Sequence, residues 1–311
     1  MARSKDGGRE QSGARDSGAS VPDFASLLDA VRGIRWPARA AVRGGIPGAH
    51  TSRMRGISAE FTEYRPYRQG DDLGRIDWKL FARSDRAYIR LSNDRAILPT
   101  TFVLDASASM AFPVESNAKW NLAAQLAIGL ATVARNSADP VGLLIAREGQ
   151  TVQLPPRTRQ GVIHEMIRAV SENSPRGSEP LSPSLTAAMR VSGRIVIITD
   201  FLGDADDLLS NAARGVAAGR EIHAVHVVAR EEIDPPHETR LVADPEFPET
   251  RRPLTDDARE AYVAAYSSWR DRIAHDWSDA GVAYTAVVVG AEPPDQLIRR
   301  ITAPRGVAAT A

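Results

Sequence analysis

From Thr100 onward, short runs of apolar and β-branched residues alternate with longer stretches in which apolar residues recur at helical spacing. This alternation is typical of βαβ units, which place their strands side by side in a parallel sheet with helices on its faces. The predicted strands cover residues 101–104, 141–145, 194–198, 222–228 and 283–289, with residues 150–154 as a short antiparallel edge strand. The sequence therefore predicts an α/β fold, a three-layer, open and mostly parallel sheet of the Rossmann type.

The predicted helices lie between these strands, at residues 117–134, 161–171, 184–191, 205–218 and 256–280. In the first of them, Leu122, Leu126, Leu130 and Val133 form one apolar stripe. The segment before the last helix is rich in proline and acidic residues, and we expect it to be an insertion at about 231–255. Together these elements predict one domain over residues 99–303.

The chain outside this domain has a different character. Residues 1–22 are rich in glycine, serine and charge, so we expect a disordered leader there. Residues 23–98 are predicted to form a small irregular and β N-terminal module, with a short helix, glycine and proline breaks, and a strand at 87–91. Residues 304–311 are expected to form a tail.

Composition excludes several classes of function. Lys and Arg together number 39, as do Asp and Glu, so overall charge does not favour nucleic acid as a partner. The absence of cysteine excludes disulfides, thiolate metal sites and cysteine nucleophiles. No apolar run approaches the roughly 20 residues of a membrane span, and the N-terminus lacks the apolar region of a signal peptide. We therefore expect a cytoplasmic protein with no membrane span.

Three oxygen-bearing side chains, those of Asp105, Ser107 and Ser109, stand at every second position where the first predicted strand ends. Residues two apart in extended backbone point the same way, so these side chains could converge. A carboxylate and two hydroxyls are hard donors that suit Mg²⁺, or Mn²⁺ as an alternative, better than zinc. The competing interpretation is a helix N-cap and turn, where serine and aspartate are favoured by local hydrogen bonding.

A second carboxylate, that of Asp200, follows another predicted strand. Ligands of open α/β sheets bind outside the carboxyl ends of strands, where the strand order reverses. Because Asp105 and Asp200 both occupy such ends, we expect them to lie close together and to share one cation.

The pattern Asp105-x-Ser107-x-Ser109 resembles the metal-ion-dependent adhesion site of von Willebrand factor A domains. The upstream segment RPYRQGDDLGRIDW, at residues 65–78, makes the resemblance specific to one family. Together the two are similar to the bacterial family called domain of unknown function 58, whose members are associated with MoxR-type AAA+ ATPases.

The resemblance implies a Mg²⁺ ion held directly by Ser107, Ser109 and a threonine from another loop, with Asp105 and Asp200 acting largely through waters. An Asp or Glu of a partner then completes the coordination. In this chain the loop at residues 176–181 lacks the family threonine. Ser178 is the predicted substitute, and Ser182 is the alternative.

The resemblance predicts a non-enzymatic, chaperone-like adaptor that acts with a MoxR-type AAA+ ATPase in protein complex assembly or maturation. The alternative is a Mg²⁺-dependent phosphotransferase or phosphatase with Asp105 as nucleophile. Such enzymes usually carry another acid two residues later, where this chain has Ser107. A Gly-x-Ser-x-Gly elbow and a phosphate-binding Gly-x-x-x-x-Gly-Lys loop are absent from the sequence, so we predict no catalytic residues.

Overall fold

The computed structural model describes residues 22–38, 61–69, 74, 76–92, 97–243, 249 and 251–303. The predicted tail and all but the last residue of the predicted leader lie outside these ranges. So do residues 70–73 and 75 of the upstream segment. The chain divides into two compact units, one formed by Met1–Pro37 with Pro99–Ala311 and the other by Ala38–Leu98.

The elements are labelled in chain order. The strands are β1 (Phe61–Pro66), β2 (Tyr88–Ser92), β3 (Thr100–Asp105), β4 (Val141–Ala146), β5 (Val152–Arg157), β6 (Arg194–Thr199), β7 (Glu221–Val228), β8 (Leu241–Ala243), β9 (Arg251–Pro253) and β10 (Ala283–Val288). The helices are α1 (Phe24–Ala30), α2 (Trp78–Ser84), α3 (Ala118–Asn136), α4 (Val162–Ser171), α5 (Ser182–Met189), α6 (Ala205–Ala217), α7 (Arg230–Ile233), α8 (Asp256–Asp279) and α9 (Pro294–Thr302).

A six-stranded sheet of order β10-β7-β6-β3-β4-β5 forms the centre of the larger unit. Its strands are parallel except β5, which pairs antiparallel with β4 at one edge. Strands β3, β4, β6 and β7 are buried along their whole length, as their nearly continuous apolar sequences predict. The predicted α/β fold class, including the antiparallel edge strand, is confirmed.

The point where the strand order reverses lies at β3. From β3 the chain runs outward to β4 and β5, then returns to place β6 on the other side of β3 and continues outward to β7 and β10. A crevice therefore opens beyond the carboxyl ends of β3 and β6, which is where open α/β sheets bind their ligands.

Helices cover both faces of the sheet. On one face α1, α3, α4 and α9 share an apolar cluster with the sheet, and on the other α5, α6 and α8 do so. Gly129 of α3 allows α9 to approach closely, because a Cβ at this position would collide with the Ile298 side chain. Helix α9 was not predicted, since its nine residues give only a short periodic signal after two prolines. None of the helices in the described ranges has the length and apolarity needed to cross a membrane.

The N-terminal helix α1 belongs to the larger unit, whereas we predicted from the sequence that residues 23–98 form one separate module. Phe24, Leu27 and Val31 bury their side chains in the same cluster as α3 and α9. The chain then passes through Trp36, which is also buried there. The apolar face of α1 thus completes the core of the sheet domain, and the second unit begins at Ala38 instead.

A buried arginine fixes this N-terminal segment. The Arg194 guanidinium lies 4.3 Å from the centre of the Trp36 ring. It donates to the Pro37 carbonyl oxygen at 3.1 Å and, through Nε, to Glu221 at 3.0 Å. Asp139 lies 3.5 Å from the same guanidinium. A buried cation needs such a set of partners, because an unpaired one would be very costly.

The smaller unit contains an antiparallel hairpin of β1 and β2 and the short helix α2. The predicted strand at 87–91 is confirmed as β2. Asp77 caps α2 by accepting hydrogen bonds from the backbone of Lys79 and Leu80, both at 3.0 Å, and the Tyr64 hydroxyl donates to it at 2.8 Å. The acidic residue of the Ile-Asp-Trp sequence therefore has a local structural role.

The insertion predicted at 231–255 contains most of α7 and a small hairpin of β8 and β9. Arg259 of α8 fixes the first part of this insertion. Its guanidinium donates to the carbonyl oxygens of Pro236 and Thr239, both at 2.9 Å, and to that of Pro235. This irregular segment is thus attached to the sheet domain through α8.

We predict that Glu221→Gln destabilises the protein by roughly 3 kcal/mol or more at pH 7, because it leaves Arg194 buried without its closest carboxylate. Burial by itself raises the pKa of Glu221, but the hydrogen bond with His223 and the charge of Arg194 outweigh it and lower the pKa to about 2. The contribution of ionised Glu221 to the free energy of unfolding is therefore fully present above pH 4.5 and is lost as pH falls toward 2.

Urea unfolding at a series of pH values measures this effect. The gap between wild type and Glu221→Gln should narrow as pH falls below 4.5. The exposed Glu172→Gln serves as the matched control and should change stability little at any pH. Equal stabilities of wild type and Glu221→Gln at pH 7 would contradict the structural role given to this pair.

Candidate metal-binding site

Asp105 ends β3 at the crevice and is almost fully buried. One of its carboxylate oxygens accepts the Ser107 backbone N–H at 2.9 Å, and the other accepts the Thr199 hydroxyl at 2.5 Å. Thr199 is the last residue of β6, the parallel neighbour of β3. The Asp105 side chain therefore joins the carboxyl ends of the two central strands.

The hydrogen bonds of Ser107 test the interpretation of this segment as a helix N-cap and turn. Ser107 precedes the short 3₁₀ helix Ala108–Ala111 in extended conformation, yet its side chain makes no capping hydrogen bond. Its hydroxyl lies 3.0 Å from that of Ser109 instead. The two serine hydroxyls thus face each other and cap no helix, whereas the hydrogen bond from the Ser107 N–H to Asp105 is of the local turn kind.

Asp200 follows β6 and lies beside this group, with only 2% of its surface exposed. One oxygen accepts the Leu202 backbone N–H at 3.1 Å, and the other accepts Lys119 Nζ at 2.6 Å. The Ser109 hydroxyl lies close enough to lower the pKa of Asp200, and the Asp200 charge raises that of Asp105. The structure therefore brings Asp105, Ser107, Ser109 and Asp200 together.

Ser178 enters the same crevice from the loop before α5. This loop is joined to the Asp105 loop by two backbone hydrogen bonds of 2.8 Å, from Arg176 to Ala106 and from Ala108 to Gly177. Ser178, Asp105, Ser107 and Thr199 then line one cleft of about 240 Å³, whereas Ser109 and Asp200 are not among the residues that line it.

Ser182, the alternative to Ser178, has a different role. It begins α5, and its backbone N–H donates to Asp204 at 2.9 Å. Its hydroxyl also donates to Asp204, and Ser182 is not among the residues that line the cleft. Of the two serines, Ser178 is the one that lines the cleft together with Asp105.

The turn after Asp200 is held in an unusual conformation. Phe201 has a φ of 60°, which a residue with a side chain adopts at a cost of about 1–3 kcal/mol. Its ring packs edge-on against Trp277 and His226, at centroid distances of 4.8 and 5.1 Å. This turn directs the Phe201 N–H to the Thr199 hydroxyl at 3.1 Å and the Leu202 N–H to Asp200. Aromatic packing thus stabilises the backbone that orients Thr199, which lines the cleft, and the neighbouring Asp200.

Two residues of the site were not predicted from the sequence. Thr199 directly precedes Asp200, and its position at the end of an apolar strand was the available signal. Lys119 is fully buried near the start of α3 and binds Asp200 and Glu232. A lysine at the start of an otherwise apolar helix was a signal for a buried ion pair, but its partners lie far away in sequence.

The carboxylates of the site carry unequal pKa shifts. Burial, and then the charge of Asp200, raise the pKa of Asp105 to about 6. Burial also raises the pKa of Glu232, although Lys119 opposes this. For Asp200 the effect of burial is outweighed by Lys119, and the pKa is lowered. One ammonium group therefore contacts two of these three carboxyl groups, and negative charge is in excess when all are ionised.

The donor set suits a small, hard dication. Within the described residues, no group of three or more His, Cys, Asp or Glu side chains could hold a metal ion, so a site here relies on hydroxyls. The hydroxyls of Ser107 and Ser109 are hydrogen-bonded at 3.0 Å, a separation that also equals the edge of an octahedron with Mg²⁺–oxygen bonds of about 2.1 Å. The excess negative charge is a second feature that a dication would offset.

Comparisons with known proteins agree in part with this description. The family model described as "Protein of unknown function DUF58" matches residues 63–272. The uncharacterized proteins Rv1480 of Mycobacterium tuberculosis (strain ATCC 25618 / H37Rv) and Mb1516 of Mycobacterium bovis are each 28% identical over 252 residues, which cover 79% of this chain and 75% of the relative.

Similar solved structures include the conserved hypothetical protein BatB from Bacteroides thetaiotaomicron, with 17% identity and a TM-score of 0.41 over 65% of this chain and 96% of that one. Another is the SpRpn10 VWA domain, with 14% identity and a TM-score of 0.39 over 66% of this chain and 95% of that one.

We predict that Gly177→Ala destabilises the protein by about 2–3 kcal/mol, because two effects combine at this position. Gly177 has a φ of +69°, and a Cβ there would collide with the Glu148 side chain. Chemical unfolding of three alanine variants separates the two effects. Gly149→Ala shares the positive φ of +72° but has open space, and Gly203→Ala, in the same cleft, has neither constraint.

The expected order of destabilisation is Gly177→Ala, then Gly149→Ala at about 1 kcal/mol, then Gly203→Ala near zero. If Gly177→Ala destabilised the protein no more than Gly149→Ala does, the description of the Ser178 loop as closely packed against Glu148 would be wrong.

Proposed function

Since this chain belongs to the family described as protein of unknown function DUF58, we propose that it is a non-enzymatic, Mg²⁺-dependent protein-binding adaptor for a MoxR-type AAA+ ATPase. The ATPase supplies the work, and this chain binds the ATPase or presents its client during assembly or maturation of protein complexes. The partner is taken from the family resemblance, and the mode of binding from the cleft at Asp105.

The observation that carries the proposal is the buried pair Asp105 and Asp200, with the hydroxyls of Ser107 and Ser109 between them at the switch point of the sheet. Ser107, Ser109 and Ser178 would hold the ion directly, and Asp105 and Asp200 would hold its water ligands. When bound, Mg²⁺ offers a coordination position to an Asp or Glu of the partner. A carboxylate that docks in this partly desolvated cleft is attracted strongly and from one direction only.

The environment of Asp105 favours binding over catalysis. Each of its carboxylate oxygens accepts a hydrogen bond, from Ser107 or Thr199, and has a second lone pair with which to accept a metal-bound water. Ser107 stands where a phosphotransferase of the aspartyl-phosphate kind usually has a general acid. These features support a structural role for Asp105 in holding a cation.

We predict that Asp105→Asn reduces Mg²⁺-dependent capture of the MoxR-type ATPase encoded in the same genome by about tenfold or more. The substitution keeps the side-chain volume and removes the charge that would hold the ion. Capture of the purified ATPase on the immobilised full chain, in millimolar Mg²⁺ and in excess chelator, measures the effect. Far-UV circular dichroism and the metal-free melting temperature check that the variant is folded.

The matched control is Glu179→Gln, which removes a carboxylate from an exposed residue of the same cleft and should capture the ATPase like wild type. Capture that persists unchanged in chelator would refute the Mg²⁺-dependent adaptor. The phosphotransferase alternative makes the opposite prediction, namely Mg²⁺-dependent turnover of a generic phosphoester that Asp105→Asn abolishes.

A further inference from the structure

The Lys119 side chain is a buried cation positioned between two carboxylates. It has no exposed surface, and Nζ lies 2.6 Å from Asp200 and 2.7 Å from Glu232. Burying an ammonium group is costly unless its charge is compensated, so the chain retains this lysine together with both partners. The structure thus holds a fixed positive charge next to the place proposed for a dication.

The two carboxylates that share Lys119 belong to different parts of the fold. Asp200 directly follows β6 and belongs to the candidate metal site, whereas Glu232 lies in α7, where the insertion begins. The second oxygen of Glu232 accepts the Ala229 N–H at 2.7 Å, and its carbonyl oxygen accepts the Tyr262 hydroxyl at 2.9 Å. Glu232 is therefore held in place by contacts other than that with Lys119. Glu232 and Asp200 share the Lys119 ammonium group as their counterion.

The net charge of the four side chains Asp105, Asp200, Glu232 and Lys119 determines how strongly this region attracts a cation. Asp105, Asp200 and Glu232 contribute three negative charges when ionised and Lys119 contributes one positive charge, which leaves an excess of two. A dication would make this buried group neutral. Without Lys119 the excess would be three, and without Glu232 it would be one. Since attraction at short range in a protein interior is strong, each change should alter cation affinity.

We propose that Lys119 is a built-in counterion that lowers the affinity of the site for a divalent cation, and that Glu232 sets how strongly it does so. This inference rests on the proposed metal site and adds the residues that regulate it. A site weakened in this way retains its cation best when a partner carboxylate also binds. Cation and partner should therefore bind cooperatively, each raising the affinity for the other.

The test is a titration of the full-length chain with Mn²⁺, in which electron paramagnetic resonance measures the free ion. Lys119→Met should bind Mn²⁺ about tenfold more tightly than wild type, and Glu232→Gln about tenfold more weakly. The double variant restores the excess of two negative charges and should bind like wild type. The matched control is Lys79→Met, the same change at an exposed lysine, which should leave affinity unaltered.

Metal-free stability provides a second readout. Lys119→Met leaves Asp200 and Glu232 without their counterion, so its melting temperature should fall, and saturating Mg²⁺ should raise it more than it raises that of wild type. The double variant removes one charge of each sign and keeps the inference testable if Lys119→Met alone does not fold. In that case Glu232→Gln must still bind Mn²⁺ more weakly than wild type, and the double variant must still bind it like wild type.

The outcomes separate this inference from the proposed function. If wild type binds Mn²⁺ but Lys119→Met binds equally or more weakly, Lys119 positions Asp200 for the ion, and the counterion role is overturned while the metal site stands. If Lys119→Met binds Mn²⁺ and wild type does not, the counterion role is supported in its strongest form. If none of the variants binds Mn²⁺, the proposed metal site and this inference both fail.

Discussion

The parallel pairing of β3 with β6 is the constraint on which the rest of the structure depends. The register from Thr100 and Arg194 to Leu104 and Ile198 places the ends of both strands side by side. Both strands are fully buried, so the polar residues that follow them enter a region with little water. Every carboxylate there needs a hydrogen bond or a counterion, and the hydroxyl of Thr199 and the ammonium of Lys119 meet that need. The chemistry of the cleft therefore follows from the packing of the sheet.

Much of this arrangement could be predicted from the sequence, because buried parallel strands have a strong local signal. Apolar runs such as that of β6 located the sheet, and the residues directly after them located the crevice. Asp105, Ser107 and Ser109 are neighbours in sequence, so extended geometry alone was enough to predict that they converge. The close approach of Asp200 followed from a general rule about strand ends, which needs no knowledge of particular contacts.

The remaining features depend on contacts between distant parts of the chain, which no local pattern reveals. Lys119 is 81 residues from Asp200 and 113 from Glu232, so its role appears only when α3, β6 and α7 are packed together. The assignment of α1 to the sheet domain has the same cause, since its apolar face completes a core formed mainly by later elements. Ser178 was predicted from the sequence with Ser182 as the alternative, and the backbone hydrogen bond from Ala108 to Gly177, which joins the Ser178 loop to the Asp105 loop, could not be read from a local pattern.

The hydrogen bonds of Arg194 have a consequence for the way the chain is assembled. Its side chain binds the carbonyl of Pro37, where the chain leaves the sheet domain, and its backbone N–H donates at 3.0 Å to the carbonyl of Pro99, where the chain returns. The carbonyl oxygens of Pro37 and Pro99 thus both accept from Arg194, so the two places where the chain of the sheet domain is interrupted are adjacent. Closing such a gap with a short glycine-rich linker would cost little chain entropy. The positions of Pro37 and Pro99 therefore favour a shortened chain in which the sheet domain is joined directly across this gap.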